Sequence, residues 1–460
     1  MCHDHLTRRG FLMGCSAAIA GLSGSRFNTL AFADTPDKGA FNEEVMLMVF
    51  LRGGIDGLNL LPPIDGPDRG FYQTARPNLQ VPASGTGAAL PINSQFGLHP
   101  SAAPLLDLYQ AGHLGIVQAV GMTEANRSHF DAMEFIELGT PGLNSGTSGW
   151  LTRHLATASN LPTEITMPSV AIGSLQPTSL LGSRETIGLD NPDNFTLNTG
   201  PYHWRDAQRV ALRNLYSLDD TWLHDSGLQA LDAADIIELN VAGDYTPANG
   251  ALYPEGPFGD HLQVVARMIK LGLGLRIATV DLGGWDTHEG QGDGSGGFFA
   301  GMVDTLSRGL NAFYTDLDGG GVNNHTQRLT VVVQSEFGRR FNENGDRGTD
   351  HGHGNLMLLL GGHVNGGLHG IWPGLAPEQL FEGDDLAVTN DYRRILSEVL
   401  IRRFGNNRLG SIFPGYANYQ PLNVVQGTDL PPDYSTEGNS SIFSDGFESG
   451  GLSNWTSSVG

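Results

Sequence analysis

The sequence has very little cysteine. Only Cys2 and Cys15 occur among 460 residues, both near the amino terminus, so disulfides and thiol chemistry are excluded for a mature chain that lacks this segment. Basic residues are also scarce, with 26 Lys and Arg against 49 Asp and Glu, a net charge of −23. This acidic balance argues against non-specific binding to nucleic acid or to anionic lipid. No later stretch is long and apolar enough to span a bilayer, and no fixed-period repeat is present.

The first 33 residues have the parts of a twin-arginine export signal in the right order. Thr7-Arg8-Arg9-Gly10-Phe11-Leu12 leads into an apolar, small-residue run, and Ala31-Phe32-Ala33 forms a cleavage site before Asp34. We expect the twin-arginine translocase to export the protein to the periplasm or the medium. Removing residues 1–33 takes away three arginines and one aspartate and leaves a net charge of −25. Cys15 leaves a lipid-anchored alternative open.

The apolar pattern of the chain predicts an α/β fold with a largely parallel central sheet flanked by helices on both faces. Predicted strands are apolar continuously rather than alternately, which is typical of strands buried on both faces; they are Val45–Leu51, Leu114–Val120, Arg276–Val280, Leu329–Gln334 and Leu356–Leu360. Predicted helices between them have apolar residues three and four apart; they are Ser101–Ala111, Ser128–Leu138, Ala207–Tyr216, Asp260–Leu273, Phe298–Leu317 and Asp391–Phe404. The alternation of the two patterns indicates helices packed against one sheet.

Composition divides the chain into three parts. After the signal, one large domain is expected over residues 34–425, and glycine is abundant in its loops, with 64 glycines in the whole sequence. Residues 140–255 are less regular and predict an insertion or a cap near the site. Residues 426–460 are polar and are expected to be mostly disordered. Within them, Ile442–Gly450 is similar to a terminal tag of exported Gram-negative proteins, although a solvated tail explains it equally well.

Acidic and histidine residues gather where predicted strands begin or end. Asp286 and His288 follow the strand Arg276–Val280, Asp56 follows the first strand, and Glu336 follows Leu329–Gln334, whereas the segment Asp350–His353 precedes Leu356–Leu360. In open α/β sheets, ligands collect at the carboxyl ends of strands, and oxygen with nitrogen ligands suits zinc, manganese or iron. The candidate metal ligands are Asp56, Asp286, His288, Glu336, Asp350, His351 and His353.

Each candidate also has a purely structural explanation. Asp56 could form a turn between glycines, and Asp286 with His288 could hydrogen-bond a loop together. Glu336 could pair with Arg339 or Arg340 in a surface ion pair of small energy. His351 and His353 alternate along an extended segment, so both could face one side. His363 and His369 lie in a glycine-rich loop and are expected to be solvated or to face substrate.

Four segments together resemble the family called domain of unknown function 1501. They are Gly53–Asn59, Gly283–His288 with Gln291, Ser335–Arg339 and Gly348–Gly352, and the likeness extends from about Val45 to Phe404. The resemblance implies twin-arginine export and an alkaline phosphatase-like fold, related to the alkaline phosphatase and sulfatase superfamily. It also implies one or two divalent metal ions (zinc, manganese or calcium) and hydrolysis of phosphate or sulfate esters.

The superfamily pattern fits this sequence unevenly. It implies metal-binding roles for Asp56, for Asp286 with His288, and for His351 or His353. Where the pattern has an Asp-His pair, this chain has Glu336 followed by Phe337, which cannot bind a metal. Asp350 or His351 would then have to supply the missing ligand from the neighbouring loop.

The superfamily nucleophile stands at a helix start after the second strand, which here corresponds to Ser128. Ser128 with Asp131 is also an ordinary helix cap, and a helix start favours a bound anion in either case. Arg127 is the expected partner of a developing oxyanion, and Thr123 is the alternative nucleophile. Without a cysteine to convert to formylglycine, a typical sulfatase mechanism is excluded.

Two functions are therefore expected from the sequence. The first is an exported metal-dependent hydrolase acting on a small-molecule or polymer ester, with strand-end Asp, Glu and His as metal ligands. The alternative is a non-catalytic, alkaline phosphatase-like binding or cell-surface module with a degenerate metal site. The fold alone does not decide between them.

Overall fold

The structure is a computed structural model that describes residues 42–436, apart from 144–145, 160–166, 174, 185, 197–203 and 220. The expected export signal, with Arg8, Arg9 and Cys15, lies outside the described residues, as do the cleavage site before Asp34 and the tag-like segment 442–450. Within the described part of the chain, no helix combines the length and apolar character needed to cross a membrane.

The described residues form a mixed α/β fold. The strands are β1 Val45–Arg52, β2 Leu90–Pro91, β3 Gly97–Leu98, β4 Leu114–Gly121, β5 Ser169–Ile172, β6 Thr186–Leu189, β7 Ile277–Gly283, β8 Leu329–Ser335, β9 Asn355–Leu360, β10 Gly367–His369 and β11 Asn390–Asp391. The helices are α1 Gly57–Leu60, α2 Gly66–Ala75, α3 Ala103–Gln110, α4 His129–Leu138, α5 Trp150–Thr157, α6 Arg205–Tyr216, α7 Trp222–Ile236, α8 Pro257–Lys270, α9 Phe298–Leu317, α10 Tyr392–Arg402 and α11 Leu409–Ile412.

The central sheet has the order β10-β4-β9-β8-β1-β7-β5-β6, and β11 pairs with β4. Its pairs are parallel except at β9, which runs antiparallel to both β4 and β8. The predicted, largely parallel sheet is therefore confirmed, with one reversed strand inside it. The segment 140–255, expected as an insertion or cap, contributes β5 and β6 to one edge of this sheet.

The first strand shows why the predicted strands are apolar without interruption. Alternate residues of β1 pack into two different cores, with Val45, Leu47, Val49 and Leu51 on one face and Met46, Met48 and Phe50 on the other. The first core also contains residues of α3, α7, α8 and α9. The second contains residues of α4, α5, α10 and α11. Helices thus cover both faces of the sheet, as the sequence predicts.

The first residues of the expected polar tail contact the domain. The Asp429 carboxylate accepts a hydrogen bond from the Tyr419 hydroxyl at 2.7 Å, and the carbonyl of Asp433 accepts one from the amide of Gly410 at 2.9 Å. The described residues of this segment end at 436.

Candidate metal centre

The reversed strand β9 brings four chain segments to one edge of the sheet. β1, β7 and β8 are parallel, so their carboxyl ends share an edge. β9 is antiparallel to β8, so the residues before β9 arrive at that same edge. β4 is also antiparallel to β9, so the start of α4, which follows β4 along the chain, lies on this side as well. Residues that come before one strand and after the others can therefore meet.

Three imidazole rings surround one carboxylate oxygen at this edge. Asp286 Oδ1 lies 3.1 Å from Nε2 of His288, 3.2 Å from Nε2 of His351 and 3.4 Å from Nε2 of His129. His288 Nε2 and His351 Nε2 are 2.8 Å apart. The ligand atoms of His129, Asp286 and His351 all lie within 4.8 Å of one another. We call these four residues the Asp286 cluster.

The other ring nitrogen of each histidine faces an oxygen acceptor. His351 Nδ1 donates to the backbone carbonyl of Arg127 at 2.7 Å. His129 Nδ1 lies 2.7 Å from Glu336 Oε1, and His288 Nδ1 lies 2.9 Å from Asp350 Oδ1. A carbonyl or an ionised carboxylate only accepts hydrogen bonds, so each Nδ1 carries the proton. In the neutral rings, all three Nε2 atoms therefore present lone pairs to Asp286.

This arrangement needs a positive centre. Two Nε2 lone pairs 2.8 Å apart repel each other unless a proton or a metal ion lies between them. His129 Nε2 is buried and has no hydrogen-bond partner among the described residues. A buried nitrogen without a partner is unfavourable, and a metal ion bound to His129 Nε2 would satisfy it.

The Glu336 carboxylate lies behind the His129 ring rather than among the Nε2 atoms. It is almost completely buried and accepts hydrogen bonds from the Gly53 amide at 2.8 Å and from the Ser335 hydroxyl at 3.0 Å. Burial favours the neutral carboxyl group, yet the hydrogen bond from His129 and those from the backbone lower the pKa of Glu336. Glu336 therefore stays ionised and orients His129.

Asp350 has the corresponding position behind His288. Its Oδ1 also accepts a hydrogen bond from the Asn344 side chain at 3.1 Å. The hydrogen bonds from His288 and Asn344 lower the pKa of Asp350. The structure thus brings Glu336 and Asp350 to the cluster, where each contacts an imidazole ring instead of the shared centre.

The Arg339 side chain is fully buried and ties the surrounding loops together. Its Nη2 donates to Asp286 Oδ1 at 2.6 Å and to the carbonyl of Trp285 at 3.0 Å. Its Nε and Nη1 donate to the carbonyls of Gly54 and Thr349 at 2.6 and 2.8 Å. Burial alone would raise the pKa of Asp286, but the Arg339 guanidinium and the nearby histidines hold it at about 2.

The pKa values of two histidines in the cluster shift in opposite directions. The hydrogen bond to Glu336, reinforced by the charges of Glu336 and Asp286, raises the pKa of His129. Burial lowers the pKa of His351. The Phe337 ring packs against both, with ring centroids 4.8 Å from His129 and 4.9 Å from His351. Phe337, which cannot bind a metal, fixes two rings that can.

Asp56 takes part in an internal ion pair, and no hydrogen bond or ion pair among the described residues joins it to the Asp286 cluster. Both the Asp56 and Arg76 side chains are fully buried, and Arg76 Nη1 lies 2.8 and 2.6 Å from the two carboxylate oxygens. The Gln291 amide donates to Asp56 Oδ2 at 2.6 Å, and the Asn59 backbone amide donates to Oδ1 at 3.3 Å. With these donors the carboxylate is fully engaged, so the structure does not bring Asp56 together with the other candidate ligands.

His353 is also separate from the Asp286 cluster. It is buried, and its ring packs against Phe381 with a centroid distance of 4.3 Å. Burial lowers the pKa of His353 to about 4. Of the two histidines that alternate along this segment, His351 enters the cluster and His353 does not.

The expected nucleophile and oxyanion partner have structural contacts. Ser128 is the N-cap of α4, and its hydroxyl accepts a hydrogen bond from the Asp131 amide at 3.5 Å. The Arg127 side chain forms ion pairs with Asp385 and, at 2.8 Å, with Glu382. The hydroxyl of Thr123, the alternative nucleophile, donates to the adjacent Glu124 side chain. What links Arg127 to the cluster is its backbone carbonyl, which orients His351.

Sequence reasoning missed His129 and the role of Arg339. His129 is adjacent to Ser128, whose hydroxyl stands where the resemblance places a nucleophile. Its signal was available: a histidine at the first position of a helix that follows a core strand. For Arg339 the sequence predicts no more than a surface ion pair with Glu336, because it does not show that the Arg339 side chain is buried.

A cavity of about 540 Å³ opens beside the cluster. It is lined by Asp286, Thr287, Glu289, Gly290, Phe298 and Asp346. Among the described residues, this lining includes three carboxylates and no basic side chain, so an anionic substrate would need the charge of a bound cation to enter it.

No curated protein matches this chain. The crystal structure of Ps i-CgsB in complex with k-i-k-neocarrahexaose shares 12% sequence identity, with 71% of this chain and 67% of that chain covered and a TM-score of 0.33. A second crystal structure of Ps i-CgsB has the same identity and coverage and a TM-score of 0.32. Likeness at this level supports no conclusion about this chain. Residues 240–408, which carry Asp286, His288 and His351, match the model of the family described as protein of unknown function (DUF1501), and the predicted resemblance is supported for that segment.

Proposed function

We propose that this protein is an exported metal-dependent hydrolase of a phosphate, sulfate or related ester. The metal ligands in this proposal are His129, Asp286, His288 and His351. The observation that carries it is that three Nε2 atoms face Asp286 Oδ1 while each Nδ1 is hydrogen-bonded to an oxygen. Histidines that bind metals commonly donate their second ring nitrogen to a carboxylate or a carbonyl in this way.

The distances within the cluster fit one ion. Ligands about 2.05 Å from a tetrahedral zinc lie about 3.3 Å from one another. Four of the six distances between the proposed ligand atoms are 2.8, 3.1, 3.2 and 3.4 Å. Imidazole-rich sites favour zinc, iron or a similar transition-metal ion, whereas calcium prefers oxygen ligands alone. The donor set therefore favours a single transition-metal ion.

Each remaining polar residue has a supporting task in this proposal. Glu336, Asp350 and the Arg127 carbonyl hold the three imidazole rings with Nε2 facing inward, and Arg339 holds Asp286 ionised. A bound divalent ion supplies positive charge for an ester oxygen and lowers the pKa of a water molecule. The alkaline phosphatase-like architecture and export through the twin-arginine pathway remain parts of the proposal that rest on the sequence.

One observation favours the alternative, a non-catalytic binding or cell-surface module with a degenerate metal site. The Ser128 hydroxyl caps α4, and the side chain of Arg127 is paired with Asp385 and Glu382. The Arg127 guanidinium therefore already has two acidic partners, whereas an oxyanion partner needs a free guanidinium. The exposed Ser128 hydroxyl only accepts in its long cap contact and keeps its own hydrogen available, so Ser128 and a water molecule are both candidate nucleophiles if the protein is a hydrolase.

Metal content and turnover together test the proposal. Protein exported by its native host should contain one transition-metal ion per chain by elemental analysis. His129→Ala, His288→Ala and His351→Ala should each lose it. His363→Ala is the matched control, because His363 follows β9 and lies at the opposite edge of the sheet, where it contacts Gln426.

The same preparations should be assayed on a panel of phosphate and sulfate esters. The hydrolase proposal predicts turnover that a chelator abolishes and that the three alanine variants lose. Metal binding without turnover on any ester would contradict the hydrolase proposal and favour a binding module. Metal-free protein that binds no added divalent ion and turns over no ester would also contradict it, and would favour the module with a degenerate metal site.

A further inference from the structure

The proposed ligands come from two loops that are far apart in sequence. Asp286 and His288 follow β7, whereas His351 and its neighbour Asp350 precede β9. Direct backbone contact between the loops includes a hydrogen bond from the Thr349 amide to the Thr287 carbonyl at 2.9 Å. The relative position of the loops sets the distance between His288 and His351, so whatever joins the loops also sets the geometry of the cluster.

The side chain of Gln291 joins these loops a second time. Its Oε1 accepts a hydrogen bond from the Thr287 hydroxyl at 2.9 Å and another from the Thr349 hydroxyl at 2.9 Å. All three side chains are almost completely buried. Thr287 lies between Asp286 and His288, and Thr349 precedes Asp350 and His351. One amide oxygen therefore fastens together the two segments that carry three of the four proposed ligands.

The other end of Gln291 is fixed by Asp56. Gln291 Nε2 donates to Asp56 Oδ2 at 2.6 Å, and Asp56 is itself held by the buried Arg76. A carboxylate only accepts hydrogen bonds, so the amide nitrogen must face Asp56 and the amide oxygen must face the threonines. This network defines the orientation of Gln291 and connects the end of β1 to both loops.

We infer that Gln291 is a positioning residue for the metal centre, acting through Thr287 and Thr349 and oriented by Asp56. The inference rests on the proposed function, because it needs the Asp286 cluster to bind a metal. Asp56 and Gln291 belong to the segments that resemble domain of unknown function 1501. Neither is a proposed ligand, and the inference assigns both a role in positioning the ligands. Groups outside the ligand set typically change metal affinity by about 10–100-fold when removed. Gln291 acts through neighbours of the ligands, so we expect a loss of about tenfold, at the lower end of that range.

The test compares cobalt affinity among near-isosteric variants. Thr287→Val and Thr349→Val each remove one hydroxyl, and Gln291→Met removes both contacts with little change in shape. Cobalt dissociation constants, measured by competition with a chromogenic chelator, should rise about tenfold for each variant. Thr349→Ser, which keeps the hydroxyl, should bind cobalt like the wild type. In the Gln291→Met background, Thr349→Val should have little further effect, because their shared contact is already lost.

A matched control separates positioning from general destabilisation. Thr326 is also fully buried and donates its hydroxyl to Asn324 at 2.6 Å, but it precedes β8, at the opposite edge of the sheet. Thr326→Val should lower the melting temperature of the metal-free protein without changing cobalt affinity. If the Thr287, Thr349 and Gln291 variants bind cobalt as the wild type does, the positioning role is wrong while the metal site stands. A wild-type protein that binds no cobalt overturns both proposals.

Discussion

The substitution Asp56→Asn tests whether Asp56 is part of a buried ion pair or a metal ligand. The Asp56 and Arg76 side chains are both fully buried, and Arg76 Nη1 contacts both carboxylate oxygens. Replacing the carboxylate by an amide of the same size leaves the Arg76 guanidinium charged, buried and without its counterion. Removing one partner of a buried pair costs about 3–5 kcal/mol.

Equilibrium urea unfolding of the metal-free protein measures this loss. For roughly 400 ordered residues, the entropy of unfolding is about 0.8 kcal/mol/K, so a loss of about 4 kcal/mol lowers the melting temperature by about 5 °C. The matched control is Asp304→Asn, because Asp304 forms an exposed ion pair with Arg308 at 3.5 Å. An exposed pair of this kind contributes about 0.5 kcal/mol or less.

Two further measurements distinguish a buried ion pair from a metal ligand. Adding Arg76→Met to Asp56→Asn should cost much less than a second full penalty, since it removes the charge that was left unpaired. Cobalt should still bind to Asp56→Asn, with at most the modest loss expected from a disturbed Gln291. An unfolding free energy equal to that of the Asp304→Asn control, together with complete loss of metal, would refute the reasoning and make Asp56 a ligand.

Three other predictions follow from local contacts. Gly348→Ala should weaken cobalt binding and lower stability, because an added Cβ would lie 2.1 Å from the carbonyl oxygen of His288, whereas Gly345→Ala in the same loop meets open space and should do neither. Burial lowers the pKa of His154 to about 4, so as pH falls below about 6.5 this histidine binds a proton in the unfolded chain but not in the native state. The free energy of unfolding should therefore fall by up to about 3 kcal/mol between pH 6.5 and 4 on account of His154. If the free energy of unfolding of His154→Gln depends on pH as steeply as that of the wild type, this prediction is contradicted. Ser128→Ala should cost about 1 kcal/mol in urea unfolding and leave the metal content per chain unchanged, and loss of metal would show that Ser128 does more than cap α4.

The sheet was predictable because burial on both faces leaves a continuous apolar run. The run Val45–Leu51 corresponds to β1, and Phe298–Leu317 has the bounds of α9. The direction of β9 was not predictable, since an apolar run does not indicate whether its strand is parallel or antiparallel to its neighbours. The direction of β9 decides at which edge of the sheet His351 lies. Because β9 runs antiparallel to β8, the segment before β9 lies at the same edge as the segment after β8.

The candidate site was predicted in part for a similar reason. Acids and histidines beside strand ends mark the right edge, and Asp286, His288 and His351 meet there. Position along a strand does not show what a side chain contacts. Asp56 therefore has the sequence position of a ligand, although Arg76, twenty residues later, neutralises it in the structure. His129 was overlooked because its partners Glu336 and Asp286 are far away in sequence.

The most direct test of the account is the position of a bound metal ion. Crystals of the cobalt-loaded protein, measured at the cobalt absorption edge, should give one anomalous peak about 2 Å from Nε2 of His129, His288 and His351 and from a carboxylate oxygen of Asp286. No such peak at the cluster, or a peak coordinated by Asp56 or His353 instead, would contradict the proposed metal centre.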